Sequence, residues 1–288
     1  GPGDVRVEEV PDARIEKPTD AVISLSATCV CGSALWLYRG IEKPNWPVPM
    51  GHEYCGVVEA VGSEVTTVRP GQFVVGSFFA SDNTCEICQA GYHSGCIHRE
   101  AACPGGAQAE LMRVPLADGT LVALDDQPDS DLVPSLLAAS DVLGTGWFAA
   151  KAAQVGPGKT VAVVGDGAVG LLGVLAAKEL GAERIIAMSR HADRQALARE
   201  FGATDIVTER GDVGVERIKE LTGGYGAHLV LECVGTEEAM QQAIRSARRG
   251  GAVGFVGVPH GVQLDGLEMF FSHVNLHGGP APVRAYLP

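Results

Sequence analysis

The 288-residue chain has no long apolar run, since no stretch approaches the roughly 20 residues that a membrane-spanning helix needs. It opens without the pattern of a secretory signal, so we expect a cytoplasmic protein. It also lacks an excess of positive charge, because 22 Lys and Arg stand against 35 Asp and Glu, for a net charge of −13. Nucleic acids and anionic membranes need a basic face, so neither is an expected partner. The remaining composition, 46% hydrophobic and 20% charged, predicts a globular protein with room for two domains.

The strongest motif is a glycine-rich turn between a buried strand and a helix. Four apolar residues, 161–164, lead into Gly165-Asp166-Gly167-Ala168-Val169-Gly170, and an Ala- and Leu-rich segment follows as far as Gly181. Such glycines allow a tight turn, close approach of a pyrophosphate and close helix–strand packing, and the phosphates sit on the free amides of the helix. A lone G-x-G-x-x-G also fits an ordinary turn, but the strand–turn–helix setting favours a dinucleotide site at residues 165–170.

The next strand, 184–188, indicates which dinucleotide binds. NAD enzymes place an acid after this strand to hold the ribose 2′-hydroxyl. This chain has Ser189-Arg190 there, with Arg194 one helical turn later. A guanidinium can bind a 2′-phosphate through paired hydrogen bonds, so we predict NADP(H) with Ser189, Arg190 and Arg194 as contacts. The alternative is that Arg190 is only a solvated surface charge.

The two halves of the chain have different patterns. Short β-segments separated by Gly and Pro turns, such as 21–25, 53–61 and 73–75, predict an antiparallel β-rich first half. After residue 158, strands and helices alternate, which predicts an α/β fold with a doubly wound parallel sheet. The predicted strands are 161–165, 184–188, 204–208, 227–234 and 252–258, and the predicted helices are 168–180, 192–201, 215–221 and one that Thr236 caps and Arg248-Arg249-Gly250-Gly251 ends.

Seven of the eight cysteines precede Gly106, and three of them form a cluster at Cys85, Cys88 and Cys96. In a cytosolic chain, C-x-x-C with a further cysteine nearby is more typical of thiolate ligation to a metal than of a disulfide framework. The cluster therefore predicts a metal site.

Several motifs together resemble the zinc-dependent medium-chain alcohol dehydrogenase and reductase family. They are Cys31-Gly32-Ser33, Gly51-His52-Glu53-Tyr54-x-Gly56, Val61-Gly62-x-x-Val65, Arg69-Pro70-Gly71-Gln72, residues 105–110, the cysteine cluster and the glycine motif. The resemblance covers nearly the whole chain. It implies a GroES-like catalytic domain over residues 1–144, a Rossmann domain over residues 145–288, and a homodimer or homotetramer.

The resemblance also implies a catalytic zinc. It makes Cys31, His52 and Asp141 the ligands, Glu53 a carboxylate able to approach the metal, Ser33 the hydroxyl that relays the substrate proton, and Thr145 a cofactor contact. A thiolate, an imidazole and a carboxylate with one open position form a reasonable catalytic zinc set. The alternative for Asp141 is the N-cap of the helix that runs toward Lys151, where Asp is favoured.

The resemblance implies a second, structural zinc at the cysteine cluster. The family has four cysteines in this lobe, and Asp82 stands at the first place, ahead of Cys85, Cys88 and Cys96. Aspartate can bind zinc through oxygen, so one aspartate and three cysteines are a suitable set. The alternative is a lobe without metal that hydrogen bonds hold closed.

Two further positions depart from the family near the catalytic metal. Ala34 replaces an acid that orients the ligand histidine in relatives, and Trp36 replaces a histidine that serves in proton release. Loss of such an outer partner typically lowers metal affinity or activity by roughly 10–100-fold. Relatives also continue for several dozen residues beyond the position of Pro288, which leaves three alternatives: a fragment, a segment supplied by another chain, or a shortened variant.

We therefore expect a zinc-dependent oxidoreductase that transfers a hydride between a small-molecule alcohol, or its aldehyde or ketone, and NADP(H). One alternative is a zinc-independent NADPH enone or quinone reductase, favoured by Ala34 and Trp36 but opposed by the joint presence of Cys31, His52, Glu53 and Asp141. The other is an inactive NADP-binding relative.

Overall fold

The computed structural model describes residues 1–45, 47–101 and 103–288. They divide into two compact units, Gly1–Gly144 with Pro282–Pro288, and Thr145–Ala281. The prediction placed all residues after 144 in the second domain, whereas residues 282–288 lie in the first unit. Residues 282–288 belong to the first unit because Val283 lies against Gly144 and Leu287 packs on the apolar cluster around Phe73.

The first unit is built on one antiparallel sheet with the strand order β4-β1-β2-β3-β5. Its core is formed by residues of these strands that are almost fully buried, among them Ile23, Tyr54 and Met112. Strand β1 continues four residues beyond its predicted end because it stays paired with β2 as far as Cys29, opposite Glu53. The strands are β1 Ala21–Cys29, β2 Glu53–Val61, β3 Phe73–Gly76, β4 Leu111–Val114 and β5 Leu121–Ala123.

The helices of the first unit are short. A 3-10 turn at His93–Gly95 follows the second helix, and two others lie at Ser130–Leu132 and Val283–Tyr286. The helices are α1 Ala34–Tyr38, α2 Glu86–Gln89, α3 Ala117–Thr120 and α4 Val133–Ala139, and α5, Val142–Ala152, leads into the second unit.

The second unit is a parallel sheet of six strands in the order β11-β10-β9-β6-β7-β8, with helices between consecutive strands. The strand order reverses between β6 and β9, which is where open α/β sheets bind ligands at the carboxyl ends of the strands. The strands are β6 Thr160–Val164, β7 Arg184–Met188, β8 Asp205–Val207, β9 Ala227–Glu232, β10 Ala247–Phe255 and β11 Asn275–Gly278. The helices are α6 Ala168–Glu179, α7 Ala192–Phe201, α8 Gly211–Leu221, α9 Glu237–Ser246 and α10 Gly266–Ser272.

This sheet is covered on both faces, which explains the nearly continuous apolar runs of its strands. Along β6, Val161 and Val163 belong to one core cluster, and Ala162 and Val164 belong to the other. The doubly wound prediction is confirmed, as is the cap of α9, where the Thr236 hydroxyl accepts a hydrogen bond from the Ala239 amide.

The predicted end of α9 is wrong. The helix ends at Ser246, and Arg248-Arg249-Gly250-Gly251 lie in β10. Ala247 is extended and pairs with Ala227, and the register then shifts before Ala252. The chain therefore pairs with β9 where the two arginines had suggested the end of a helix. The register shift in β10 is possible because Gly250 adopts a φ of 71°.

Among the described residues, no single helix is long and apolar enough to cross a membrane. One bent pair, Ser130–Ala139 with Val142–Ala152, passes that test by length and composition alone.

Two glycines of the G-x-G-x-x-G motif have different surroundings. A Cβ at Gly170 would lie 2.0 Å from the carbonyl oxygen of Gly165, so α6 packs on the turn too closely for any side chain. A Cβ at Gly167 would meet nothing within 4 Å, and its φ of −78° suits any residue.

We predict that Gly170→Ala lowers the free energy of unfolding by about 1–3 kcal/mol, the usual cost of overpacking, although Ala is the better helix former. Gly167→Ala is the matched control and should change it far less. Denaturant unfolding of the whole protein, followed by circular dichroism, measures the free energy of unfolding of both variants. Equal decreases in the two variants would contradict the packing role of Gly170.

Candidate functional site

Four potential metal ligands from three segments of the first unit lie together. Cys31 follows β1, His52 and Glu53 stand at the start of β2, and Asp141 precedes α5. One ligand atom from each lies within 4.8 Å of the others.

Local structure explains this convergence. Because Cys29 pairs with Glu53, the chain that leaves β1 and the chain that enters β2 meet at the same end of the sheet. The Ser140 hydroxyl accepts a hydrogen bond from the Tyr54 amide at 3.2 Å and donates to the Leu137 carbonyl at 2.7 Å. The segment before α5 is thereby fixed to β2, and Asp141 is held next to His52.

The His52 ring lies between anionic groups. Its Nε2 atom is 3.2 Å from Asp141 Oδ2. A nitrogen and an oxygen that bind the same tetrahedral zinc lie at a similar distance, about 3.4 Å. Burial lowers the pKa of His52, but hydrogen bonds and charge from Asp141 and Cys31 outweigh it and raise the pKa to about 10. The surroundings of this ring therefore favour a positive charge.

Glu53 supplies a second sign of a cation site. Its side chain is 1% exposed, its Oε2 atom accepts a hydrogen bond from Cys29 Sγ at 2.8 Å, and its Oε1 atom has no hydrogen-bond partner within the described part of the chain. Burial raises the pKa of this carboxyl group despite the opposing bond from Cys29. A buried carboxylate oxygen without a partner is costly unless a cation or a proton satisfies it.

Ser33 and Ala34 lie at the start of α1, directly after Cys31. Ser33 is half-buried, and no hydrogen bond of its hydroxyl group is found among the described residues. Ala34 is buried, at 7% exposure, where the resemblance places an acid. His52 is therefore held by Asp141 and Cys31 without a carboxylate from position 34.

The site contains two residues that the sequence did not predict. Cys29 bonds Glu53, and the ring centroid of Phe78 lies 5.8 Å from that of His52. Cys29 could have been found from its position two residues before Cys31, at the end of the strand that leads to it. Phe78 lies in an irregular segment after β3, where no period predicts its neighbours.

The predicted residues of the cysteine cluster also converge. Cys85 precedes α2, Cys88 lies within it, and Cys96 follows the 3-10 turn. The sulfur of Cys85 lies 3.5 Å from that of Cys88 and 3.9 Å from that of Cys96. A disulfide needs about 2.05 Å, whereas thiolates on one tetrahedral zinc lie about 3.8 Å apart. The spacing fits metal ligation.

Asp82 completes this cluster as an ionised group. Its Oδ1 atom lies 3.3 Å from Cys96 Sγ and 4.0 Å from Cys88 Sγ. Burial raises the pKa of Asp82, but hydrogen bonds from Thr84, His98 and Cys96 outweigh it and hold the pKa well below its usual range. The four residues thus offer three sulfurs and one carboxylate oxygen.

In the second unit, the glycine motif forms an open turn at the end of β6. Gly165 has a φ of 115°, and Gly167 and Ala168 are exposed where α6 begins. Val169 and Gly170 follow in the first turn of α6, whose free amides can bind phosphate. Thr145, also predicted as a cofactor contact, lies in α5 with 8% exposure.

The residues predicted to select the cofactor are linked to Asp166. The Asp166 carboxylate accepts hydrogen bonds from Ser189 Oγ at 2.8 Å and from Arg194 Nη1 at 3.0 Å. Burial raises the pKa of Asp166, but these two bonds outweigh it and hold the pKa low. Arg190 is exposed. An acid from the glycine turn therefore neutralises one of the two arginines, which the sequence did not predict.

Comparison with known proteins agrees with both units. Residues 17–126 match the alcohol dehydrogenase GroES-like domain, and residues 168–279 match the zinc-binding dehydrogenase family. A zinc-type alcohol dehydrogenase of Aspergillus flavus is 34% identical over 303 aligned residues, which include all of this chain and 69% of the relative.

Solved structures give the same result. The alcohol dehydrogenase from Thermus sp. ATN1 superposes with a TM-score of 0.87 at 32% identity, over 99% of this chain and 84% of its own. A protein from Sinorhizobium meliloti 1021 that is bound to NADP superposes with a TM-score of 0.82 at 30% identity, over the same shares of the two chains. The GroES-like and Rossmann folds are confirmed, and the chain belongs to the zinc-dependent medium-chain alcohol dehydrogenase and reductase family of oxidoreductases.

Proposed function

We propose that this protein transfers a hydride between a small-molecule alcohol, or its aldehyde or ketone, and NADP(H), with a zinc ion held by Cys31, His52 and Asp141. The observation that carries this proposal is the convergence of these three residues and Glu53 within 4.8 Å. Their donor set is one thiolate, one imidazole and carboxylate oxygens, which zinc accepts while an open position remains for substrate.

When bound, the zinc polarises the substrate oxygen and the nicotinamide carries the hydride. The residues of the chain hold and orient these groups. Cys31 and Asp141 flank the His52 ring, and Asp141 Oδ2 lies 3.2 Å from its Nε2 atom, so both of these atoms would face the metal position. Ser33, two residues after Cys31, takes the alcohol proton toward solvent. The Phe78 ring next to His52 gives an apolar substituent of the substrate a face to pack on.

Ala34 reduces metal retention in this proposal. Outer-shell carboxylates that orient a ligand histidine typically contribute roughly 10–100-fold to metal affinity or activity. Because position 34 offers no carboxylate, we expect the catalytic zinc to dissociate more readily than in relatives that have one there.

NADP(H) as the cofactor is supported by the residues at the end of β7. Ser189 and Arg190 follow this strand, so it ends without an acid of its own. Arg190 is exposed and free to approach a 2′-phosphate, and Arg194 has further guanidinium donors besides the one bonded to Asp166. The NADP-bound relative agrees with this choice.

A second zinc, bound by Asp82, Cys85, Cys88 and Cys96, is part of the proposal. The sulfur–sulfur distances of 3.5 and 3.9 Å support it. Because its ligands all come from one loop of the first unit, we expect the second zinc to stabilise that unit. A homodimer or homotetramer stays a prediction, which the molar mass in solution checks.

We predict that Cys31→Ala lowers kcat/KM for alcohol oxidation by more than about 100-fold, because a Lewis acid contributes several kcal/mol to such a reaction. The zinc content should fall by one ion per chain. Cys103→Ala, a cysteine outside both clusters, is the control for thiol loss. Steady-state kinetics and elemental analysis measure both effects, and full activity of Cys31→Ala would remove zinc from the chemistry.

Chelation tests the alternative functions on the wild-type protein. Removal of zinc should abolish alcohol oxidation, and added Zn²⁺ should restore it. NADPH-dependent reduction of an enone or quinone that survives chelation would instead favour the zinc-independent reductase. Tight NADPH binding without turnover of alcohols, aldehydes or ketones would favour an inactive relative.

We predict that Arg190→Ala lowers kcat/KM for NADP+ by roughly 10–100-fold and leaves that for NAD+ nearly unchanged, since a charge-assisted hydrogen bond contributes about 1.5–3 kcal/mol. Arg199→Ala, an exposed arginine at the other end of α7, is the matched control. The ratio of the two kcat/KM values is the measurement. A wild-type preference for NAD+ would contradict the cofactor proposal.

A further inference from the structure

The two carboxylate oxygens of Asp82 have different surroundings. Oδ1 faces the cluster, at 3.3 Å from Cys96 Sγ and 4.0 Å from Cys88 Sγ. Oδ2 lies 2.6 Å from Nδ1 of His98 and accepts a hydrogen bond from the Thr84 hydroxyl at 2.7 Å. The Thr84 amide donates to Oδ1 at 3.0 Å. The carboxylate is therefore held with one oxygen toward the sulfurs and the other saturated by donors.

These distances fit a metal bound through Oδ1 alone. A carboxylate oxygen and a thiolate on one tetrahedral zinc lie about 3.6 Å apart, and the two measured separations bracket that value. Oδ1 is the oxygen that lies near the sulfurs, whereas Oδ2 already has two side-chain donors. His98 is 56% exposed and itself lies outside the group of four ligands.

We propose that His98 is a positioning residue of the second metal site: its Nδ1–H donates to Asp82 Oδ2 and so fixes Oδ1 as the single oxygen ligand of the zinc. A cysteine at position 82 would need no such partner, because its one sulfur has no second atom to orient. An aspartate can rotate or bind through both oxygens, and a hydrogen bond to one of them removes that freedom. The role of His98 therefore depends on an aspartate, and not a cysteine, at the first ligand position.

This inference rests on the proposed second zinc, so its test starts with the wild type. Full-length protein is loaded with zinc and titrated with a chromogenic chelator, and the affinity of the second site is compared between wild type, His98→Ala and His98→Asn. The amide of the His98→Asn variant would keep a donor nitrogen at the place of Nδ1. We expect His98→Ala to release this zinc roughly 10–100-fold more readily and His98→Asn to retain most of the wild-type affinity.

A second pair of variants separates positioning from general destabilisation of the loop. In Asp82→Cys the site has four sulfurs, and in this background His98→Ala should not change the zinc affinity. If His98→Ala weakens zinc binding equally in both backgrounds, the residue only stabilises the loop and the inference is wrong. Unchanged affinity in the wild-type background would also overturn it.

Cobalt substitution gives a readout that does not depend on activity. The ligand-field bands of Co²⁺ in the second site should keep the same pattern in wild type and His98→Asn and should shift in Asp82→Cys, where sulfur replaces oxygen. A loss of a nitrogen ligand in His98→Ala would show that the imidazole binds the metal directly, which contradicts the inference. If the wild type binds no second metal ion at all, the proposed site itself fails.

Discussion

The pairing of β1 with β2 brings together Cys31, His52 and Glu53, three of the four residues of the proposed catalytic site. It sets Cys29 opposite Glu53, and the residues just beyond these strand ends, Cys31 and His52, are then neighbours. Asp141 joins them because Ser140 bonds the backbone of β2. These residues thus come from positions up to 110 residues apart in sequence, yet strand pairing and one hydrogen bond of the Ser140 hydroxyl to β2 bring them together. A shift of register by one residue would turn Glu53 away from the cluster, because alternate residues of a strand face opposite sides.

The two clusters of potential metal ligands, one around Asp82 and one around Glu53, differ in how their negatively charged groups are stabilised. Around Asp82, Thr84 and His98 supply hydrogen-bond donors that hold the pKa of the carboxyl group low and leave its Oδ1 atom beside the sulfurs. Around Glu53, one carboxylate oxygen has no hydrogen-bond partner among the described residues, and Asp141 and Cys31 raise the pKa of the neighbouring His52. The first arrangement suits a permanently closed site. The second leaves a buried carboxylate oxygen that a cation can satisfy.

Much of the fold could be predicted from the sequence because the signals are local. Strand β2 and helix α7 have the predicted bounds, since the turn at Gly62 marks the end of one and Gly202 marks the end of the other. The residues that the family resemblance implied as ligands do lie together in two clusters, because the motifs that carry the resemblance are specific. The contact of Arg194 with Asp166 could not be predicted, because it joins helix α7 to the glycine turn after β6, and only the parallel sheet brings these two segments together. The same holds for Phe78 beside His52, and for β10, whose start was decided by pairing with β9.

The contact of Asp166 with Ser189 and Arg194 has a consequence for how cofactor choice can change over time. The residues that we propose as contacts of the adenosine end belong to one network, and residues in one network do not contribute additively. An acid introduced after β7 would stand next to an existing carboxylate, and the two would repel each other unless one of them were protonated or replaced. A lineage that exchanges one dinucleotide for the other therefore has to alter the glycine turn together with the neighbouring strand end.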